Sequence, residues 1–312
     1  MCIIAVCFTL VVSMLFKNAC IYRLARPFEL SADELNAQLA TNRFVPCSGI
    51  RPSSFGWVSP LSDVEGAPFV HEVVGCMLIS ARREDKVIPP SALNEAVTER
   101  AQKLEAMEGR RLRSKEKQSL KENALAELLP RALPRSKLVM GYISPKDRLL
   151  IIGTSASSEA EMFIDCLRAS LESFPVTTPQ VKSRPSDVFT RWLMQRKLPD
   201  NFSLGDQCDL LDPEDTSTVS CRRQDLATSE IRSHLEAGKI CTRIGLRWHG
   251  ELKFAIDRDL ALKQIKTESS DDKAPEDEDP VVRLDTAFAN MALEFSRLIP
   301  ALFQALGGEN KS

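Results

Sequence analysis

The 312-residue sequence predicts an α+β protein, with mixed, largely antiparallel sheets, flanking helices and one projecting basic helical unit. Three observations carry this reading. Apolar runs of strand length alternate irregularly with capped stretches of helical period along the whole chain. The order strand, strand, helix over residues 138–171 belongs to an α+β fold rather than a doubly wound one. No period of about 20 to 50 residues repeats, which excludes a solenoid or propeller. At 43% hydrophobic and 27% charged residues the chain can bury a sizeable core.

The elements follow in chain order. Residues 1–13 hold an apolar run, Cys2 to Val12, that lacks the basic leader and cleavage site of a secretory signal, and Lys17 cuts it short of the ~20 residues of a membrane span. An extension, or an over-long start before Met14, is expected there. Leu15 to Leu24 makes a better strand. Ser31-Ala32-Asp33-Glu34 has capping-box spacing and opens a short helix through Leu35 and Leu39. Val73 to Ala81 reads as one buried strand, and Pro89-Pro90-Ser91 stops one element and caps the next. From Ala92 a helix with Leu93, Val97, Leu104 and Met107 on one stripe runs to Gly109; a second, from Ser114, puts Leu120, Ala124 and Leu128 on one face until Pro130. Together they form a basic αα projection over 92–135.

Leu138–Ile143 and Leu149–Gly153 pair around Ser144-Pro145-Lys146-Asp147, and Ser158-Glu159-Ala160-Glu161 is a second capping box before a helix to Leu171. The Pro- and Thr-rich stretch 174–184 divides an N-terminal region, 14–175, from a second α+β region, 176–266. Within the latter, Thr228 to Ala237 is a helix stopped by Gly238. Strict alternation then sets Ile240, Thr242, Ile244, Leu246 and Trp248 against Lys239, Arg243 and Arg247, and His249-Gly250 turns into Leu252–Ile256. Residues 267–280 read as an acidic, disordered linker, and 281–312 as a C-terminal helix with Leu284, Phe288, Met291, Phe295, Leu298 and Leu302 on one side.

Charge is informative only when it is divided. The net value is −2, yet residues 110–137 hold nine Lys or Arg against three Glu, whereas 268–285 hold eight acids against two bases. Nine scattered cysteines without a C-x-x-C pair imply neither a zinc site nor a disulfide framework, and no cofactor is expected. P-loop, dinucleotide, zincin and nucleophile-elbow strings are absent, and His71, His234 and His249 are far apart, so the chain does not read as an enzyme. Positive surface is what remains. Duplex DNA attracts it whatever the base sequence, because neutralised phosphates release condensed counterions. The candidate contacts are Arg110, Arg111, Arg113, Lys115, Lys117 and Lys121 on the projection, Arg131 and Arg135 after it, Arg222, Arg223 and Gln224 before the Thr228 helix, and Lys239, Arg243 and Arg247 on one sheet face, with Lys253 beside them. No series of stacking aromatics accompanies them, which favours contact with the DNA backbone. A protein-interaction module with solvated charged faces, or a metal-dependent DNA-processing enzyme, are the other readings of the same charges.

Several strings resemble the RdgC family in order and spacing from Met14 onward: Phe16-Lys17-Asn18 with Tyr22-Arg23-Leu24, Phe44-Val45-Pro46-Cys47, Gly56-Trp57-Val58, Leu128-Leu129-Pro130-Arg131-Ala132, Gln224-Asp225-Leu226, His234-Leu235-Glu236-Ala237-Gly238-Lys239 and Ala305-Leu306-Gly307-Gly308-Glu309. The resemblance implies a ring-shaped homodimer whose basic central hole accommodates duplex DNA, and single strands as well. It further implies a cytoplasmic, nucleoid-associated protein without a membrane partner that limits RecA-dependent recombination. One departure is Leu133, where relatives can carry Phe, so an aromatic wedging role does not transfer to that loop. For the two contacts that closure needs, the expected regions are the final helix, through Phe295, Leu298, Leu302 and Phe303, and the end of the projection at Leu128 to Leu133.

Overall fold

A computed structural model describes residues 14–61, 66–267 and 279–310; the apolar run of 1–13 and most of the acidic linker lie outside them. Two antiparallel sheets organise the chain. The first is built from β1 (Cys20–Leu24), β2 (Ser53–Val58), β3 (Val70–Val73), β4 (Cys76–Lys86), β5 (Pro134–Ser144), β6 (Leu149–Ile152) and β7 (Val176–Thr177). Its order is β2-β4-β5-β6-β1-β7, with β3 following β2 along the same edge of β4. The second contains β8 (Phe202–Leu211), β9 (Thr218–Arg222), β10 (Ile240–Trp248), β11 (Leu252–Asp257) and β12 (Leu262–Thr267), in the order β12-β11-β10-β8-β9.

Period-two alternation in the first sheet gives it two apolar faces, and each is covered. Helices α1 (Ala32–Ala40) and α4 (Ser157–Leu171) bring Leu35, Leu39, Phe163 and Leu167 onto Trp57, Ile79, Ile143 and Leu150. On the opposite face Phe16, Leu78, Tyr142 and Ile151 join one continuous core with α5 (Pro185–Gln195), α6 (Ser229–Glu236), α7 (Pro280–Ala305) and the inner side of the second sheet. Among the described residues, no helix lies on the outer side of the second sheet. Charged and amide side chains occupy that surface.

The Ser31 box forms as expected: Glu34 N donates to Ser31 Oγ at 3.3 Å and Ser31 N donates back to Glu34 Oε2 at 2.9 Å. Four readings are corrected. The run Val73 to Ala81 is two strands, because Val74 (φ 54°) and Gly75 (φ 70°) make a tight turn that carries β3 into β4. The second capping box does not form. Glu159 is instead buried, 2.6 Å from Lys137 of β5 and hydrogen-bonded to Thr154, and the α4 cap at Ala156 has no side-chain bond. Strict alternation on β10 fails at bulges near Cys241 and Ile244, which turn Cys241 into the core. Finally, Phe295, Leu298, Leu302 and Phe303 pack inside their own protomer, with Phe288 of the same stripe edge-on to Tyr142 at 5.4 Å. They cannot also face a partner. The division drawn at residue 176 falls at the first residue of β7, which pairs with β1 of the first sheet.

Candidate nucleic-acid interface

Two basic surfaces stand out, and the first is an arm grown from a hairpin. The β4–β5 ladder is paired continuously to Lys86 and Pro134, and Val87 N donates to Leu133 O at 3.1 Å, so residues 88–132 form an insertion at its tip. That insertion is α2 (Pro90–Glu108), α3 (Ser114–Leu128) and a short 3₁₀ turn, Leu129–Arg131. Lys86 Nζ staples its base, donating to Gly49 O at 2.6 Å and Leu129 O at 3.0 Å. At the far end Gly109, in the left-handed conformation (φ 66°), ends α2, and the buried Leu112 donates its N–H to Glu105 at 2.9 Å. With no third layer over them the two helices bury little: no residue of α2 is buried, only Ala124 of α3 is, and Met107, expected on the apolar stripe, is 86% exposed.

This geometry sorts the cations of the arm. Arg110 is held by Glu116, at 2.6 and 3.0 Å, and by Glu108 at 2.7 Å. Its hydrogen bond, then that of the Arg113 N–H, pulls the Glu116 carboxyl down to about 2. By contrast Arg111, Arg113, Lys115, Lys117 and Lys121 are exposed and have no carboxylate within ion-pair distance among the described residues. Arg131 and Arg135, at the arm's return, are exposed as well.

The second surface is the outer face of the second sheet. Here the structure splits the candidates. Lys239 is 13% exposed and contacts Asp212 at 3.2 Å and Ser217 at 2.7 Å. Arg243 and Arg222 share Asp209, at 2.9 and 2.7 Å, and Ser220 donates to the same carboxylate at 2.7 Å. Burial works to raise the Asp209 carboxyl, but the Arg222 and Ser220 hydrogen bonds and both guanidinium charges outweigh it and the net shift is downward. Arg222, while paired with Asp209, also lines a groove of about 700 Å³ together with Arg223 and Arg247, joined there by Lys253 and by two residues that sequence reasoning missed, Lys266 and Gln264. No periodic signal marks that pair in the sequence, since β12 twists through Gln264 at φ 54°.

A bulge makes the groove. The register passes from Ile244↔Cys208 to Leu246↔Leu204, so Gly205, Asp206 and Gln207 arch over the single Gly245 of β10. Gly205 is required there because a Cβ would come within 2.9 Å of the Gly245 carbonyl carbon. The arch in turn holds the next loop, since Gln224 N donates to Asp206 O at 3.0 Å, which fixes Arg223 beside the groove. Burial pushes the thiols of Cys20 and Cys208 up, to about 11 and about 12, so they are poor nucleophiles. His71 bonds Asp285 of α7 at 2.5 Å, and among the described residues no three His, Cys, Asp or Glu side chains are grouped as metal ligands would be. No described helix is long and apolar enough to cross a membrane.

Comparison with known proteins bears on these surfaces. The family model described as "Putative exonuclease, RdgC" matches residues 14–309. Curated relatives named recombination-associated protein RdgC include that of Aeromonas hydrophila, 39% identical over 305 residues that cover 96% of this chain and all of that protein. Those of Tolumonas auensis and Pseudomonas aeruginosa are 38% and 36% identical, over 95% of this chain and 99% and 98% of theirs. Matches of that extent, over both sheets and the arm, establish that the chain belongs to the RdgC family.

Proposed function

We propose that this protein binds DNA through its backbone, without reading sequence, and acts non-catalytically in recombination as a homodimer that closes around duplex and limits RecA-dependent exchange. A cytoplasmic, nucleoid-associated location goes with this reading. The observation that carries it is the arm. Five of its exposed cations, Arg111, Arg113, Lys115, Lys117 and Lys121, have no ion pair among the described residues and stand on a two-helix unit that contributes almost nothing to the core. Over residues 110–121 six Lys or Arg stand against one Glu; a solvated helix needs no such local excess of one sign, whereas a phosphate backbone is bound by it through counterion release. The names of the relatives agree with involvement in recombination.

A second reading has its own support in the family model's description as an exonuclease. Binding to unrelated duplexes of equal length, at low and high salt and with and without magnesium, separates the two. The expected result is binding that is indifferent to sequence, weakens steeply with salt and leaves the DNA intact in magnesium. Shortened strands in magnesium would favour the nuclease, and absence of binding would return the charges to plain solvation.

A further inference from the structure

We propose that Cys208 and Cys221 form a site of reversible oxidation, a dithiol that a peroxide closes to a disulfide between β8 and β9. The site stands apart from the DNA-binding reading and does not depend on it. Register is the first observation. Cys208 lies directly opposite Cys221, and among the described cysteines no other two are strand partners. Residues opposite one another on an antiparallel pair have Cα atoms about 4.5 to 5.5 Å apart, within the roughly 4.4 to 6.8 Å that a disulfide spans. Both side chains belong to the core, Cys208 fully buried and Cys221 7% exposed.

The thiols also meet. Burial, then the neighbouring Cys221 charge and a hydrogen bond with Cys221, pushes the Cys208 thiol up to about 12. A third buried thiol, Cys241, is close by but otherwise engaged, because its Sγ donates to Arg243 O at 3.1 Å and its strand partner is Leu210. Access comes from the edge. Strand β9 is five residues long and pairs only with β8, and a short edge strand opens at lower cost than a central one.

The chemistry assigns the two sulfurs different parts. Cys221, the more exposed, attacks hydrogen peroxide as its thiolate: an S–O bond forms, the O–O bond breaks, and the departing hydroxide takes up the thiol proton as water. Cys208 is too strongly protonated to attack first, so it resolves the sulfenic acid. Its sulfur forms the S–S bond, the S–O bond breaks, and its proton leaves with the hydroxide as a second water. Two thiols thus lose two electrons to one peroxide, and an exogenous dithiol reverses the step. The weak nucleophile is offset by its fixed place beside the target. On the opposite face of the same strand pair Arg222 donates to both cysteine carbonyls, at 3.2 Å to Cys208 O and 2.8 Å to Cys221 O, and binds Asp209 at 2.7 Å. Oxidation therefore pins the strand that carries Arg222 to the strand that carries Asp209.

The test uses the full chain, treated with hydrogen peroxide, quenched, unfolded and alkylated. Cys208 and Cys221 share one tryptic peptide, residues 198–222, and Cys241 lies in another, residues 240–243. The expected result is loss of two hydrogens from the first peptide and of alkylation at both its cysteines, with Cys241 alkylated as before and dithiothreitol restoring the starting state. Full alkylation of Cys208 and Cys221, after treatment that oxidises a cysteine-containing peptide in the same tube, would overturn the proposal. A bond from either residue to Cys241 would do the same. Cys208→Ala should leave Cys221 as a sulfenic acid that dimedone captures, whereas Cys221→Ala should leave Cys208 reduced. Dimedone on Cys208 in the latter would overturn the assignment of Cys221 as the attacking sulfur. The first readout uses the unaltered sequence, so it decides even where a variant fails to fold.

Discussion

Asp209 governs how much of the charge on the second sheet is available. One carboxylate, 24% exposed, sits between Arg222 and Arg243, and Arg243 is only 16% exposed, so removing the acid strands a guanidinium that water reaches poorly. Asp209→Asn should therefore lower the melting temperature and at the same time strengthen DNA binding, with a salt slope steeper by up to about one unit as Arg222 is released. A slope that stays the same would mean that Arg222 does not meet phosphate. On the arm the pairing is equally uneven. Arg111→Ala, Arg113→Ala, Lys115→Ala and Lys117→Ala should each weaken binding to every duplex alike and cut the slope by about 0.9, whereas Arg110→Ala, whose charge is already spent on Glu108 and Glu116, should cut it much less. The Glu116 carboxyl provides a pH reading of the same turn. Its folded value is depressed, to about 2, so its contribution is complete at neutral pH and disappears only as pH falls through the folded value. In a carboxyl-carbon NMR titration it should still be ionised where ordinary glutamates have protonated, and Arg110→Ala should return it towards the common range.

At the scale of elements, the contrast lies between helices that are core and a helix pair that is not. Helix α7 buries Phe288, Met291, Phe295, Leu298 and Leu302 between the two sheets, so Phe295→Ala should cost about 3 to 5 kcal/mol, read by denaturant unfolding. Substitutions on α2 should leave that transition nearly unchanged, since nothing on α2 is buried. Local signals made the elements legible. Ser31 with Glu34, Gly238 after the Thr228 helix, and the Ser144–Asp147 turn each fix a boundary by chemistry confined to a few neighbouring residues. What was not legible is set by distant partners. Glu159 looks like a capping residue until Lys137 and Thr154 claim it, and the apolar stripe of α7 has one pattern whether it meets a sheet of its own chain or a second copy. The same limit applies to the basic candidates. Arg243, Lys239 and Arg247 share one period in sequence, and only the fold brings Asp209 and Asp212 to the first two.

For the whole molecule the open matter is closure around DNA. A ring of two chains needs two contact regions in each, because a single isologous patch joins a pair and leaves its far ends apart. Since Phe295, Leu298, Leu302 and Phe303 of α7 are consumed internally, the ring proposed above would have to draw on the arm for a contact. Leu133, at its return, is 81% exposed, Leu125 is exposed close by in sequence, and Met107 is open at the far end of α2. Apolar side chains on a thin basic arm gain nothing from solvent, and burial of each against a second copy would contribute about 1.5 to 3 kcal/mol. Two predictions follow from such closure, and one experiment reads both. Protein bound to nicked circular duplex should withstand a rise in salt, then leave once the circle is cut, because a closed ring can depart only over a free end. Leu133→Asp, which sets a charge in the contact, should make release from the circle as fast as release from the cut DNA while leaving low-salt binding to short duplexes in place. Release that is equally fast before and after cutting for the unaltered protein, or a monomer in sedimentation at micromolar concentration, would rule the ring out and leave a protein that grips one side of the duplex through the arm.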